Sequence, residues 1–311
     1  MTGGGAHGQG HDPASDGTRV TRAGIAAIAV ALALIALKGW AFAATGSVAM
    51  LGSLIDSSLD FLASAINLFA IRQALVPPDH EHRYGHGKAE ALAGLMQAAF
   101  IGGSAVFLAL ESAQRLLRPE PVAQGWIGIA VMVISIGLTG ALVWYQRRVA
   151  HQTGSLAVSA DSLHYAGDLA MNAAVILALA ITATTGAMWA DPLFGLAVAA
   201  LIGWGAVEIL RAAGNQLMDR EVSDEVREAI RKIACAHPEV RGVHDLRTRA
   251  SGTRMFAQLH LELDPGMPLM RAHEISDTVE AALVKAYPAL EVIIHQDPEG
   301  MADRHHHLHR T

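Results

Sequence analysis

The chain of 311 residues has little charge and almost no cysteine. Charged residues make up 17% of it, against about 25% in an ordinary soluble domain, so a single soluble globular domain is excluded. The one cysteine, Cys235, cannot form an intrachain disulfide or a cysteine-rich zinc finger. The sequence also lacks HExxH, the zinc-binding motif of many metalloproteases, which argues against that class of enzyme.

Apolar residues make up 52% of the chain and are concentrated between about residues 23 and 210. Each apolar run has about 20 residues or more, enough to cross a hydrocarbon core about 30 Å thick. The sequence therefore predicts an all-α bundle of six transmembrane helices in a lipid bilayer, within residues 21–212. The runs lie near 23–44, 47–75, 90–116, 125–146, 156–185 and 189–211.

Basic residues near the ends of the runs predict the orientation of the bundle, because Lys and Arg accumulate on the cytoplasmic side. The segment before the first run, the second loop and the fourth loop are basic, whereas the first and fifth loops have no Lys or Arg. Arg115 and Arg118 in the third loop run against this pattern. The balance places both termini in the cytoplasm of a multi-pass protein of the cell inner membrane.

The hydrophobic runs stop after Arg211, and residues 213–300 predict a small soluble α+β domain. Its pattern is helix, two alternating strands joined by a Ser-Gly turn, an amphipathic helix and a last short strand, an αββαβ order. Residues 221–300 contain 14 acidic and 9 basic residues, a net charge of −5, which argues against nucleic acid as a partner.

Two pairs of ionisable residues interrupt runs that should be buried in lipid. Asp56 and Asp60 lie in the second run, and His164 and Asp168 lie in the fifth. Charged groups at membrane depth are costly and usually functional, and the i, i+4 spacing puts each pair on one helix face. We therefore predict a four-ligand site for a divalent cation such as Zn²⁺ rather than four helix–helix hydrogen bonds. Asp161, one turn before His164, is either a spare ligand or a residue at the mouth of the site.

The same four side chains predict proton chemistry. A histidine must be neutral to bind a metal, and crowded carboxylates hold protons more tightly when no cation is present. Metal loading should therefore expel protons, and protonation should release the metal. This gives a physical route to metal/proton exchange.

Further groups of metal-ligand types lie outside the runs. Asp79, His80, Glu81, His82 and His86 fall in a Pro- and Gly-flanked loop, which predicts either a metal site or a solvated charged loop. The soluble domain carries His244, His260, His273, His295 and Asp297, enough to predict at least one more metal site. The ends, a leader of residues 1–20 and a tail of residues 301–311, are rich in His and predicted to be disordered; loose metal binding and no specific role both remain open. Their histidines are His7, His11, His305, His306, His307 and His309.

Five segments make the chain resemble the cation diffusion facilitator family, in particular its bacterial zinc-efflux branch. They are DSSLD, YGHGKAE, ADSLHYAGDLAMN, GVHDLRTR and VIIHQDP, and the resemblance covers about residues 20–300. It implies a homodimeric divalent-cation/proton antiporter whose cytoplasmic domain has a metallochaperone-like (ferredoxin-like) fold. It also implies Zn²⁺ as transported substrate and structural ion, with protons as the counter-ion.

The resemblance also assigns residues. It implies a transport site at Asp56, Asp60, His164 and Asp168 and a loop site at Asp79, His82 and His86. It implies a charge pair between Lys88 and Asp219 at the base of the bundle. The cytoplasmic metal site that it implies, which helps to hold the dimer, consists of His244, His260, His273, His295, Gln296 and Asp297.

The expected function is export of Zn²⁺, with Cd²⁺, Fe²⁺, Co²⁺ or Mn²⁺ as other cations, from the cytoplasm by alternating access. A metal-gated channel or membrane metal sensor is the alternative, and coupling of the metal flux to protons separates the two. A membrane metalloenzyme is disfavoured, because a catalytic zinc usually keeps one coordination position open and four protein ligands would fill the shell.

Overall fold

The computed structural model describes residues 13–46, 48–117, 126–185 and 189–300. The chain divides into two compact units. One unit, Gly17–Met218, holds the long helices, and the other contains the described residues from Asp219 onwards. We call them the membrane unit and the soluble unit.

Six helices in the described ranges are long and apolar enough to cross a membrane, which confirms the predicted bundle. α5 has the predicted bounds, and most other ends differ by one or two residues, whereas α4 and α6 continue beyond their apolar runs. Apolar runs mark only the part of a helix in lipid, so polar turns at the ends escape this pattern. The helices are α1 (Pro13–Thr45), α2 (Val48–Ala74), α3 (Lys88–Leu117), α4 (Trp126–Thr153), α5 (Leu156–Thr185) and α6 (Ala190–Leu217).

The prediction of disorder over residues 1–20 is wrong for its last part, because α1 already begins at Pro13. Proline suits the first turn of a helix, where its missing N–H leaves no hydrogen bond unmade. Val20 is 2% exposed and packs with Ala23 and Ile71, so burial stabilises this part of the helix. Its charged and polar residues gave no apolar run from which the helix could be predicted. The remaining residues of the leader, 1–12, lie outside the described part of the chain.

Small residues let the membrane helices approach closely. Ala23, Ala27 and Ala31 recur every four residues along α1 and are all 0% exposed. Such stripes are typical of membrane helices, where close packing replaces the hydrophobic effect between neighbours. Large apolar side chains instead face outwards, for example Phe100 (74% exposed) and Trp204 (66% exposed), as a lipid-facing surface requires.

The soluble unit has the predicted αββαβ order. Its elements are α7 (Asp224–Cys235), β1 (Gly242–Ser251), β2 (Arg254–Leu263), α8 (Leu269–Ala286) and β3 (Leu290–Pro298). The sheet order is β1-β2-β3, with β1 antiparallel and β3 parallel to β2.

The sheet of the soluble unit has two different faces. Leu259 and Leu261 point into the core formed with α7 and α8 and are both 0% exposed. Side chains alternate along a strand, so His260, between them, lies on the opposite face. Strand alternation thus separates a hydrophobic core from a face that carries histidines.

Candidate metal centres

Three of the four predicted transport residues meet between α2 and α5. One ligand atom each from Asp60, His164 and Asp168 lies within 4.8 Å of the others. His164 Nε2 is 2.9 Å from Asp60 Oδ1 and 4.0 Å from Asp168 Oδ2. His164 and Asp168 share one face of α5 through their i, i+4 spacing, so α5 supplies two ligands and α2 the third. The group combines one imidazole with two carboxylates, donors that suit Zn²⁺ and related cations.

Asp56, a described residue, is exposed and lies outside this group. Four residues of helix rise about 6 Å, so the side chain of Asp56 must extend along α2 for its carboxylate to reach the ligand atoms of the transport group. The two carboxylates also repel each other electrostatically. The assignment of Asp56 as a fourth ligand therefore stays a prediction.

A buried polar network lies one helical turn from the transport group. Asp161 Oδ1 accepts hydrogen bonds from Ser64 Oγ at 3.1 Å and Gln97 Nε2 at 3.3 Å. Its Oδ2 accepts one from Gln146 Nε2 at 2.5 Å, and Ser64 Oγ also bonds to Tyr165 OH at 2.9 Å. Asp161 is thus a hub joining α2, α3, α4 and α5, and it is not a member of the transport group.

Sequence reasoning missed Lys38 of α1. Its Nζ donates to Ser57 Oγ at 2.7 Å and to the Ser53 carbonyl at 3.3 Å, both on α2. Its charge also interacts with Asp60, Asp168 and Asp56. The signal was present, because Lys38 is the only basic residue between Arg22 and Arg72 and interrupts an apolar run.

In the loop between α2 and α3, three of the five candidate metal-binding residues lie close together. Asp79, His82 and His86 each offer a ligand atom within 4.8 Å of the others. Asp79 Oδ2 lies 3.4 Å from His86 Nε2, while its Oδ1 accepts the backbone N–H of His82 at 2.6 Å and of Glu81 at 2.9 Å. These hydrogen bonds, first that from His82, hold the pKa of Asp79 below its usual range. His80 and Glu81 are not members of the group.

The third group lies on the histidine face of the soluble sheet. His244 pairs with His260 across β1 and β2, and His260 with His295 across β2 and β3, so the three form one row. Asp297 forms a close group with two of them, His244 and His260, with its Oδ2 2.7 Å from His260 Nδ1 and 3.4 Å from His244 Nε2. Its Oδ1 is 3.1 Å from His295 Nε2. Imidazoles and a carboxylate at these spacings fit a bound Zn²⁺.

Two predicted members of the cytoplasmic site lie elsewhere in the soluble unit. Gln296 alternates to the core face of β3 and donates to Ser276 Oγ on α8 at 2.9 Å. His273, also on α8, is exposed, with its Nε2 3.6 Å from Asp277 Oδ2. Neither belongs to the close group of His244, His260 and Asp297, so both assignments remain predictions, as does that of His295.

Two carboxylates beside the histidine row were not foreseen. Glu262 Oε1 lies 3.5 Å from His244 Nε2, and Asp245 Oδ2 lies 3.8 Å from His260 Nε2. Asp245 has a positive φ of 45° and sits where the register between β1 and β2 shifts. Such a register shift is a β-bulge, which changes the direction of a side chain. A strict alternation of inward and outward residues cannot predict that change.

The predicted charge pair of Lys88 and Asp219 joins residues of different units. Lys88 Nζ donates to the Leu217 carbonyl at 3.3 Å within the membrane unit. Asp219 Oδ2 lies 3.4 Å from Arg249 Nη1 within the soluble unit. The pair itself therefore stays a prediction. The histidines of the leader and tail, for which metal binding was left open, lie outside the described residues.

Comparison with known proteins covers almost the whole chain. Residues 24–218 match the family described as the cation efflux transmembrane domain, and residues 222–299 match the cation efflux protein cytoplasmic domain. A cation-efflux pump, FieF, of Shewanella oneidensis is 50% identical over 273 residues, covering 88% of this chain and 92% of its own. FieF of Klebsiella pneumoniae is 46% identical over 287 residues, covering 92% and 95%.

A solved structure resembles part of the chain. The metal-bound C-terminal domain of the CzcD transporter from Thermotoga maritima is 28% identical. The match covers 25% of this chain and 93% of that one, with a TM-score of 0.25.

Proposed function

Because the chain belongs to the cation efflux (cation diffusion facilitator) family of transporters, we propose that it exports cytoplasmic Zn²⁺ in exchange for protons. It is a multi-pass membrane protein, and its relatives are pumps rather than enzymes. The finer statement, zinc for protons, depends on the transport group of Asp60, His164 and Asp168.

The distance from His164 Nε2 to Asp60 Oδ1, 2.9 Å, carries the proposal. This distance fits a hydrogen bond, in which one of the two partners carries the proton. A metal that binds Nε2 needs the same lone pair and must displace that proton. The transport group therefore holds either a proton or a cation at one position, which is the requirement for exchange.

Histidine with carboxylates suits Zn²⁺ well and Cd²⁺, Co²⁺, Fe²⁺ or Mn²⁺ less well, since the imidazole nitrogen is a softer donor than oxygen. Zn²⁺ from the cytoplasm displaces protons from the ligands, and the helices then reorient. Protons from outside protonate the ligands again and release the ion. Inward proton flow thus drives outward metal flow, in an inner membrane with both chain ends in the cytoplasm.

The other two centres have supporting roles in this proposal. The histidine row of the soluble unit holds Zn²⁺ as a structural ion and stabilises a homodimer. The loop centre of Asp79, His82 and His86 binds cations on the cytoplasmic side. His82 is 56% exposed there, so a cation can reach the loop centre from solvent.

The test is zinc flux into proteoliposomes with and without an imposed pH gradient, with the internal pH recorded. Zinc movement coupled to opposite proton movement is the expected result, and Asp60→Ala should remove both. Zinc flux that ignores the gradient would overturn the exchange and favour a metal-gated channel. Binding of Zn²⁺ with no flux under any gradient would favour a sensor.

A further inference from the structure

Lys38 is a basic side chain inside a helix that is long and apolar enough to cross a membrane. It lies on α1 within the candidate span Ser15–Thr45 and is half-buried. A lysine at this depth is costly unless it pairs with another group, so its surroundings indicate its role.

Its position is fixed by α2. The Nζ group donates to Ser57 Oγ at 2.7 Å and to the Ser53 carbonyl at 3.3 Å, two groups one helical turn apart. Ser57, which is 1% exposed, directly follows Asp56 and is three residues before Asp60. These hydrogen bonds therefore hold the ammonium group against the segment of α2 that carries Asp56 and Asp60.

The charges at this point give the lysine a function. Lys38 Nζ is bonded to Ser57, which lies between Asp56 and Asp60 in the chain, and Asp60 groups with Asp168, while His164 is neutral whenever it binds a metal. With Asp56 counted as the predicted fourth ligand, three carboxylates and one ammonium have a net charge of −2, which one divalent cation neutralises. Without the ammonium the same cation would leave a net charge of −1 in a low-dielectric environment.

We propose that Lys38 is a resident countercharge of the transport site, which matches the site to a divalent cation and weakens metal binding through repulsion. This inference rests on the proposed function, because it concerns the affinity of that same site. A transporter must release what it binds, and a fixed positive charge beside the ligands lowers the affinity without removing a ligand. Lys38 is thus a positioning and electrostatic residue, not a metal ligand.

The test is Zn²⁺ titration of the purified full-length protein at one pH by calorimetry. The transport-site component is the binding that Asp60→Ala removes in the same background. Lys38→Met and Lys38→Gln remove the charge, and Gln keeps a hydrogen-bond donor. We expect the transport site to bind Zn²⁺ at least about tenfold more tightly in both, a change of about 1.4 kcal/mol.

Two matched variants separate the effect of the positive charge from the effect of the hydrogen bond to Ser57. Lys38→Arg keeps the positive charge, and Ser57→Ala removes the hydroxyl acceptor while keeping the lysine. Both should stay within about threefold of the wild-type affinity, because the charge remains near the carboxylates. Single-turnover release of Zn²⁺ should be slower in the two neutral variants and not in these two.

Unchanged or weaker zinc binding in Lys38→Gln would overturn the inference, as would Lys38→Arg binding as tightly as Lys38→Gln. If Lys38→Met does not fold, the comparison of Gln with Arg decides. These outcomes leave the exchange of zinc for protons untouched. Absence of any Asp60-dependent zinc binding in the wild type would instead overturn both proposals.

Discussion

The membrane unit and the soluble unit build candidate metal centres from the same donors but hold the ligands differently. In the membrane unit, α5 supplies His164 and Asp168 while α2 supplies Asp60, and α2 touches α5 less than it touches α3. In the soluble unit, His244, His260 and His295 lie on neighbouring strands joined by backbone hydrogen bonds. Ligands on two helices can separate when the helices move, whereas ligands in a strand register cannot separate without breaking the sheet. The first arrangement suits release of a cation, and the second suits retention.

The strongest test of this difference removes one ligand from each unit. Asp60→Ala should reduce zinc flux at least about a hundredfold, since even outer-shell changes at metal sites cost 10–100-fold. His260→Ala should reduce flux much less, because the proposal gives its centre a structural ion rather than a transported one. Proteoliposome zinc uptake measures both.

The matched control for Asp60→Ala is Ser58→Ala on the same helix, whose hydroxyl donates to the Leu54 carbonyl of its own turn, 2.9 Å away. It should transport normally. Near-normal flux in a folded Asp60→Ala protein would mean that the membrane group is not the transport site. An equal loss in His260→Ala would erase the distinction between the two units.

A second test concerns selectivity. His164→Asp replaces the only nitrogen donor of the transport group by a third oxygen donor, and oxygen ligands favour harder ions such as Mn²⁺. We expect the Zn²⁺/Mn²⁺ transport ratio to fall about tenfold, or about 1.4 kcal/mol. Competition uptake with both ions measures the ratio. An unchanged ratio would count against His164 as a ligand.

A third test concerns retention in the soluble unit. Replacing His244 and His260 together by Ala removes two of the three imidazoles in the row, so a bound ion should be lost and the dimer weakened. Sedimentation of the full-length protein against concentration measures dimerisation. His273→Ala is the comparison, because His273 is exposed on α8 and outside the group. Dimerisation that is equally strong in the double variant would contradict the stabilising role.

A fourth test concerns the frame around the membrane site. Asp161→Ala removes the acceptor of three hydrogen bonds, from Ser64, Gln97 and Gln146. At about 0.6 kcal/mol for each bond between membrane helices, the loss is about 2 kcal/mol. Thermal unfolding in detergent should show a lower midpoint, with a smaller drop for Asp161→Asn, which keeps one carbonyl acceptor. An unchanged midpoint in Asp161→Ala would mean that the network does not stabilise the bundle.

The sequence predicted what depends on local spacing. Apolar length predicts six helices, and the i, i+4 pairs place His164 with Asp168 on one face, because helix geometry is regular. Strand period likewise separates Gln296 from His295 and Asp297, although the resemblance had grouped all three. The hub at Asp161 was not foreseen, since Ser64, Gln97 and Gln146 are common neutral residues that gain meaning only when four helices meet.

Lys38 shows what sequence spacing cannot predict. A lone lysine in an apolar run is as conspicuous as Asp60, yet its partners lie on α2, and no spacing within α1 reveals them. Tertiary packing therefore decides whether such a charge pairs with a carboxylate, a hydroxyl or the lipid interface. Pairs within one element are predictable, and pairs between elements require the fold.

The smallest predicted effect lies on the surface of the soluble unit, where Arg271 of α8 bonds to Glu239, just before β1, and to Glu274 of its own helix. The hydrogen bond from Arg271 holds the pKa of Glu239 below its ordinary value of 4.5. A lowered carboxyl pKa gives stability that is present above the ordinary value and lost as the pH falls through the lowered pKa. Exposed pairs contribute little, so Glu239→Gln should only modestly speed backbone hydrogen exchange around residues 237–241 at pH 7.

That difference between Glu239→Gln and wild type should shrink as the pH falls through the lowered pKa of Glu239, because the wild-type carboxylate then becomes protonated as well. Glu274→Gln is the matched control, because its bond to Arg271 stays within one helix turn and joins no second element. If the wild type and Glu239→Gln differ equally at pH 7 and at a pH below the lowered pKa of Glu239, the ion pair is not the cause. Such a result would mean that backbone hydrogen bonds between the strands alone keep the sheet rigid. The contrast with the membrane unit would then depend on strand pairing and not on surface charge.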